Sequence, residues 1–473
     1  MDSIKTEVVV LGAGPGGYAA AFYAADMGKK VILIEQEKRL GGVCLNRGCI
    51  PSKALLNATK MVGEAEASAS RGISFSKPTI QLDKLRAWKD AILTKLSAGI
   101  SGLAQKRGVT VLYGRGHFES SSSLRVETSE GQKFVTFDQA IIAVGSRPAL
   151  PRAFDLGNPK IMTSTEALDL PDIPENLLVI GGGYIGMELG TVYSSLGSKV
   201  TVVEALDGIL AGADPDLVRP VLKYAEQHFK EIRVKSKVVG MSTAGKHIKV
   251  TTETNEVKKE ELYDRVLVSV GRVPNAEDLG LENTKVERDD RGFVKVNLQM
   301  QTADPHLYAI GDIAGGVLLA HKASKEARIA VESIVGESSG SDQITIPAVV
   351  FTHPEIAWCG LTEAEAKAKG RTVEIAKFPW AASGRALTCE ATEGLTKIII
   401  DPETERILGV GITGQHAGEM IAEGVALIEM GATVKDLAEM VHPHPTLSES
   451  LMEAAESFFG HSTHIHTRKR TEA

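Results

Sequence analysis

Cysteine is scarce in this chain, with four in 473 residues, and that excludes a disulfide-built scaffold. No apolar run approaches the roughly 20 residues that a membrane-spanning helix needs, so no membrane partner is expected. Basic residues are not in excess. Lysine and arginine number 53 against 60 acidic residues, a formal net charge of -7, which argues against nucleic-acid binding. Val8-Val9-Val10-Leu11 runs straight into a glycine turn, so the start does not read as a signal peptide and a cytoplasmic protein is expected. A chain of this length exceeds one ordinary core, so several domains are expected.

Two of the four cysteines stand close together, in Gly41-Gly42-Val43-Cys44-Leu45-Asn46-Arg47-Gly48-Cys49-Ile50-Pro51-Ser52-Lys53. Structural zinc would want two more Cys or His ligands at compact spacing, and none stand near Cys44, so no metal is expected. A close pair outside a disulfide framework reads instead as a redox-active dithiol. A free thiol titrates near about 8.5 and attacks only as thiolate, so such a pair needs a base and a stabilising charge.

The pair follows a strand–turn–helix–strand pattern over residues 4–36. Glu7 to Leu11 is β-branched and apolar, Gly12-Ala13-Gly14-Pro15-Gly16-Gly17 follows, then an alanine-rich helical run and Lys30 to Ile34. Gly12, Gly14 and Gly17 fill the dinucleotide fingerprint, and Glu35 ends the second strand where an acid would accept from a ribose hydroxyl. The pyrophosphate would then meet the N–H groups at the helix start. The pattern recurs: Asn176 to Ile180, Gly181-Gly182-Gly183-Tyr184-Ile185-Gly186, a helix, and Lys199 to Val203 ending at Glu204. Gly181, Gly183 and Gly186 are the second fingerprint. A carboxylate at Glu204 repels a ribose 2′-phosphate, which favours NAD over NADP.

Between the two units, helical runs at 54–69 and 82–106 read as packing elements, the second with Trp88, Ile92, Leu96 and Leu103 on related faces. Turns at Gly114–Gly116 and Ser120–Ser123 suggest an inserted sheet. The strands at 140–144 and 267–270 end in similar turns, Gly145-Ser146-Arg147-Pro148 and Gly271-Arg272-Val273-Pro274. A third strand ends at Gly311-Asp312, which reads either as an ordinary buried strand with a polar stop or as a turn that sets Asp312 on a flavin's polyol chain. From Ile346 the fingerprints stop and mixed strands and helices suggest a separate α+β domain. Near its end lies Val441-His442-Pro443-His444-Pro445-Thr446-Leu447-Ser448-Glu449, then a polar tail carrying His461, His464 and His466.

These motifs, Gly-Gly-Val-Cys-Leu-Asn-Arg-Gly-Cys-Ile-Pro-Ser-Lys, Gly-Gly-Gly-Tyr-Ile-Gly-Met-Glu-Leu-Gly, Tyr-Ala-Ile-Gly-Asp and His-Pro-His-Pro-Thr-Leu-Ser-Glu, closely resemble those of the pyridine nucleotide–disulfide oxidoreductases, in order along essentially the whole chain. The resemblance implies an α/β protein with two Rossmann-like dinucleotide-binding domains plus a C-terminal α+β dimerisation domain. It implies an FAD domain at 1–148, an NAD domain at 149–275, a central domain at 276–345 completing the FAD site, an interface domain at 346–460 and a solvated tail at 461–473. The implied cofactors are FAD, bound tightly without a covalent link, and NAD+/NADH. The implied activity is oxidation of protein-bound dihydrolipoyl groups within 2-oxo acid dehydrogenase complexes or the glycine cleavage system. Its partners would be lipoyl domains, an acyltransferase core and a second copy of the chain.

Carried over by resemblance, Cys44 exchanges with the substrate thiol and Cys49 lies beside the flavin. Lys53 sits near flavin N5 with Glu188 as its partner. Ala320 and His321 open the helix that meets the pyrimidine end. His444 is the base, oriented by Glu449 and supplied by the partner subunit. Gly42, Gly116, Gly145, Val238 and Gly271 complete the expected cofactor contacts. Pro443 departs from the family pattern but leaves the His444–Glu449 spacing intact. His442 is the lesser candidate for the base. Cys359 and Cys389 match no catalytic position. Relatives that reduce mercuric ion would show a C-terminal cysteine pair, transhydrogenases would lack one of the two cysteines, and glutathione reductases would carry basic residues near Glu204. A non-catalytic redox sensor would need no base.

Overall fold

The computed structural model describes residues 3–341 and 345–466. β1 (Ser3–Leu11), α1 (Pro15–Asp26) and β2 (Val31–Glu35) form the first strand–helix–strand unit. β1 and β2 pair in parallel from Val8↔Val31 onward and are covered on both faces, which is why both runs are continuously apolar rather than alternating. α2 (Gly42–Arg47) and α3 (Cys49–Ala67) come next, so the helix after the dithiol begins at Cys49 itself rather than at Ala54.

β3 (Thr110–Tyr113), β4 (Arg115–Ser120), β5 (Ser123–Thr128) and β6 (Gly131–Ile142) join β1 and β2 in one sheet, ordered β3-β2-β1-β6-β5-β4. The turns at 114–116 and 120–123 therefore do not mark a separate inserted sheet. β6 shares one edge between two neighbours: residues 131–136 pair antiparallel with β5, and 140–142 pair in parallel with Leu307–Ala309. The strand that precedes Asp312 is thereby added to the sheet that carries the first fingerprint.

α4 (Leu82–Lys106) buries a stripe beside the one its larger apolar residues mark. Lys89, Leu93, Ser97 and Ala104 are buried, whereas Trp88, Leu96 and Leu103 are exposed and Ile92 is half-buried. A lysine can stand on the buried face because its ammonium donates to Leu168 O at 2.7 Å while its methylenes pack.

The second fingerprint sits in a five-stranded parallel sheet that includes Asn176–Ile180, Lys199–Val203 and Arg265–Val268, flanked by an antiparallel sheet over residues 236–263. Ser146–Pro148 and Arg272–Pro274 pair antiparallel, so the two similar glycine turns lie side by side. Residues 348–414 form an antiparallel five-stranded sheet, against which the helices Ala417–Glu429 and Glu449–Phe458 pack.

A buried charge cluster ties this last sheet to the second fingerprint unit. Lys397, 1% exposed, holds Asp214 Oδ2 at 2.6 Å, Asp216 Oδ1 at 2.8 Å and Glu363 Oε1 at 3.0 Å. Asp214 precedes Pro215 and occupies the N-cap of the helix Pro215–His228, yet it makes no cap bond there. Its oxygens accept from Glu363 N at 3.0 Å and Ala364 N at 3.2 Å, in the following domain.

Residues 461–466 are anchored at Ser462, His464 and Ile465, although His461, Thr463, His464 and His466 remain exposed to solvent as expected. Glu453 is 3% exposed, and a buried carboxylate needs donors, which the returning chain supplies through Ser462 Oγ at 2.5 Å and His464 Nδ1. Ile465 packs on the domain's core. Residues 467–473 lie outside the described residues. No helix among the described residues is long and apolar enough to cross a membrane.

Candidate active site

A cleft of about 570 Å³ runs from Glu35 across Gly12, Gly14 and Gly16 to the two cysteines, then on to Asp312 and Ala320. Gly42, Gly116, Gly145, Lys53 and Glu188 also line it. The fingerprints are built alike. Gly12 (φ +100°) and Gly181 (φ +105°) are left-handed, and a Cβ on either would stand 2.5 Å from the carbonyl oxygen of Ala143 or Ser269. At the third position a Cβ on Gly17 would stand 1.8 Å from Gly12 O, and one on Gly186 would stand 2.1 Å from Gly181 O. Gly14 and Gly183 are the N-cap residues, and neither has a side chain to occupy the N–H groups that follow.

The two acids do the same structural work. Glu35 accepts from Ala13 N at 2.8 Å and Glu37 N at 2.9 Å, and Glu204 accepts from Gly182 N at 2.6 Å and Leu206 N at 2.8 Å. Each pins its glycine loop, and burial lifts the Glu35 carboxyl above its ordinary range. Ser236 N donates to Glu204 O at 2.9 Å, which brings Val238 alongside this loop, partly buried beside Leu178 and Ile180. Gly145 and Gly271 are both left-handed, at φ +68° and +122°.

Cys44 and Cys49 are free thiols held on two consecutive helices. The Cys49 thiol is lowered to about 7 because Cys44 donates a hydrogen bond to it, and the Lys53 charge adds to this against the opposing effect of burial. Cys44 is driven upward, by that same donated bond and then by burial. One sulfur is poised to be thiolate and the other keeps the proton. Cys49 also stands first in its helix, where the dipole favours an anion.

Lys53, one turn along that helix, donates to Glu188 Oε2 at 2.8 Å and Oε1 at 3.0 Å. Two further contacts were not legible in the motifs: Phe351 N donates to Glu188 at 3.0 Å, and the Phe351 ring lies 4.5 Å below the Lys53 ammonium. Asp312 is held by Ser146 Oγ, which in turn accepts from Arg272 Nε at 2.7 Å. Arg272 was missed as a site residue, although the repeated Gly145 and Gly271 turns were the signal that could have found it. Ala320 opens the helix Ala320–Val335 at the cleft, while His321 turns away to Pro347 O at 2.7 Å.

His444 and Glu449 are brought together, but not to the cysteines. His444 Nδ1 lies 2.8 Å from Glu449 Oε1, and Glu449 Oε2 accepts from Thr446 N at 2.7 Å. Burial pushes Glu449 up, but Thr446 N–H and His444 outweigh it, so the carboxyl lies below its usual range. The His444 side chain is 75% exposed and does not line the cleft. His442 is occupied elsewhere, with Nε2 2.8 Å from Glu423 Oε1. Cys359 is buried, which pushes its thiol up to about 12, and Cys389 is half-buried.

The cleft residues fit FAD: an acid at one end, glycines whose Cβ atoms would fill the cradle, a bare helix N-terminus and a fixed aspartate beyond. The second fingerprint with Glu204 fits NAD(H) on the same grounds.

Over residues 6–327 the chain matches the family model described as pyridine nucleotide-disulphide oxidoreductase, and over 346–455 the model of that family's dimerisation domain, which supports a homodimer. A dihydrolipoyl dehydrogenase of Vibrio parahaemolyticus is 46% identical over 98% of both chains. One of Haemophilus influenzae is 47% identical over 99% of this chain and 98% of its own. Among solved structures, LpdA from Mycobacterium tuberculosis is similar with a TM-score of 0.88 at 28% identity, covering 95% of this chain and 99% of its own. The flavoprotein disulfide reductase RclA from Escherichia coli is similar with a TM-score of 0.86 at 26% identity, covering 96% and 99%. Matched over nearly its full length by these relatives, and by the family model across both fingerprints and the dithiol, the chain belongs to the pyridine nucleotide-disulphide oxidoreductases.

Proposed function

We propose that the chain oxidises protein-bound dihydrolipoamide to lipoamide, passing electrons from the dithiol through FAD to NAD+. The observation that carries this reading is the placement of the dithiol in the cleft: Cys49 stands first in its helix with the Lys53–Glu188 pair one turn along it, and Cys44 stands on the helix before. A pair placed this way has a substrate end and a cofactor end.

In this reading His444, with Nδ1 committed to Glu449, turns Nε2 to a substrate thiol and takes its proton. In the oxidised form of the enzyme, where Cys44 and Cys49 are joined as a disulfide, the substrate thiolate attacks Cys44 Sγ, the Cys44–Cys49 bond breaks, and a mixed disulfide with Cys44 forms. Cys49 leaves as thiolate, the form that Lys53 and the start of α3 favour. His444 passes this first proton to solvent and takes that of the second substrate thiol, whose thiolate attacks the substrate sulfur of the mixed disulfide. Lipoamide closes, and Cys44 regains a proton from His444. Bound FAD supplies the two-electron relay between the dithiol and NAD+.

The exposure of His444 and its absence from the cleft lead us to assign the base at each dithiol to the partner subunit. Residues 1–148, 149–275, 276–345 and 346–460 would then serve FAD, NAD, the FAD site's completion and the subunit interface. The complex served would be a 2-oxo acid dehydrogenase complex or the glycine cleavage system, in the cytoplasm, reached through lipoyl domains and an acyltransferase core. The test is NADH formation by the purified protein from dihydrolipoamide and NAD+. Turnover is expected there. Turnover only with NADPH and glutathione disulfide would overturn the reading.

A further inference from the structure

The last helix, Glu449–Phe458, carries three carboxylates along one side, Glu449, Glu453 and Glu456, spaced at four and then three residues. Glu449 is the orienting acid of the base. Glu453 is buried one turn farther on, and Glu456 Oε2 is buried with no hydrogen-bond partner among the described residues. Burial first, and Glu453 second, push the Glu456 carboxyl upward. Like charges at this spacing disfavour one another, so donors that cover the middle carboxylate relieve the first.

The returning chain covers it. Glu453 receives Ser462 Oγ at 2.5 Å, His464 N at 3.4 Å and the His464 ring through Nδ1. Among the described residues, other titratable groups near this helix have partners of their own: on the packed helix Val434–Glu439, Asp436 accepts from Thr433 and Lys435 lies 3.8 Å from Glu439. His461 stacks beside Phe459 with ring centroids 6.3 Å apart, and its charge acts on Glu456. On the adjoining strand, the Lys377 carbonyl meets Ser457, but its ammonium turns away to Asp216 at 2.7 Å and Glu363 at 3.3 Å. The positive influence of His464 also reaches Glu449, the weakest of the named effects holding that carboxyl down.

We propose that His464 is a positioning residue for the His444–Glu449 base, holding the Glu453 carboxylate on the chain's last described segment and away from Glu449. A second His–Glu pair thus stands one helical turn behind the first. This inference rests on the assignment of His444 as base.

The test compares the pH dependence of kcat/KM for dihydrolipoamide in His464→Gln, Glu453→Gln and the double variant, each as the FAD-loaded homodimer. His464→Gln uncovers a negative charge about one turn from the dyad, so the acid limb should move up by roughly half a pH unit. Glu453→Gln removes that charge and should move the limb down. The double variant should return close to the unaltered chain. Labelling of His444 by diethyl pyrocarbonate, followed by mass spectrometry without turnover, should show the same displacements. Unmoved limbs in both single variants would overturn the proposal, as would limbs that move in one common direction or a fall in melting temperature alone. His444→Gln separates the two claims. If it keeps full turnover, the base assignment itself fails. If it loses turnover while the other variants leave the limb in place, only the role of His464 falls.

Discussion

Lys53→Met removes the positive charge beside Cys49. It leaves the Glu188 side chain, 4% exposed, with Phe351 N–H as a remaining hydrogen-bond donor. In the intact protein Cys49 titrates at about 7, with Cys44 the largest lowering influence and Lys53 a lesser one. An opposite charge within about 4–6 Å is worth about 1–3 pKa units. The Lys53 side chain is 32% exposed, so solvent screening puts its share near the low end, about one unit. Glu188 acts on Cys49 in the raising direction, and losing its lysine can only strengthen that. The half-point should therefore climb from about 7 to about 8–8.5. Glu188→Gln removes the raising charge while keeping the lysine, so its half-point should fall below that of the unaltered protein. At pH 7.5 a thiol titrating near 7 is about three-quarters ionised, and one titrating near 8.5 about one-tenth. The assay is a pH titration of the long-wavelength absorbance that a thiolate gives when stacked on oxidised flavin, followed in the dithiol form of each variant. No displacement in Lys53→Met, or displacement of both variants in the same direction, would refute this electrostatic account of the dithiol.

Three further outcomes follow from the same geometry. His444→Gln should lower dihydrolipoamide oxidation by roughly 10²–10⁴-fold, measured as initial NADH formation. If the base comes from the partner, refolding this variant together with a chain carrying Cys44→Ser and Cys49→Ser should restore activity that neither has alone, and no restoration would place the base within one subunit. Lys397→Met should destabilise the protein by about 3 kcal/mol, the low end for breaking a buried ion pair, because Lys377 still reaches Asp216 and Glu363. Urea unfolding checks this, and an unchanged midpoint would show that the three carboxylates need no buried cation.

What the motifs made legible was the local chemistry. Gly12, Gly181 and their partners stand where backbone crowding forbids a side chain, and such positions announce themselves in sequence. The dithiol and the His444–Glu449 spacing were legible for the same reason, since each is a short-range pattern. Long-range pairing was not. Nothing near Lys53 indicates that Phe351 lies beneath it, because that contact depends on a loop of the last domain folding back over Glu188. Asp214-Pro215 reads as the cap of its own helix, and only the tertiary structure shows its oxygens given to Glu363 and Ala364 instead. On α4 the period of the apolar residues was visible, but period alone does not say which of two neighbouring stripes faces inward. Lys89 could take the core side only because Leu168 O was there to receive it. The segment around His464 looked like solvated tail because its partner, Glu453, hides its burial inside an ordinary helical repeat.

The central claim is that the two sulfurs have different jobs, Cys49 facing the flavin and Cys44 the substrate. The most direct measurement compares Cys44→Ser with Cys49→Ser in the flavin-loaded protein across neutral to alkaline pH. The account predicts long-wavelength thiolate–flavin absorbance in Cys44→Ser, where Cys49 survives, and none in Cys49→Ser. The band appearing instead in Cys49→Ser would contradict it.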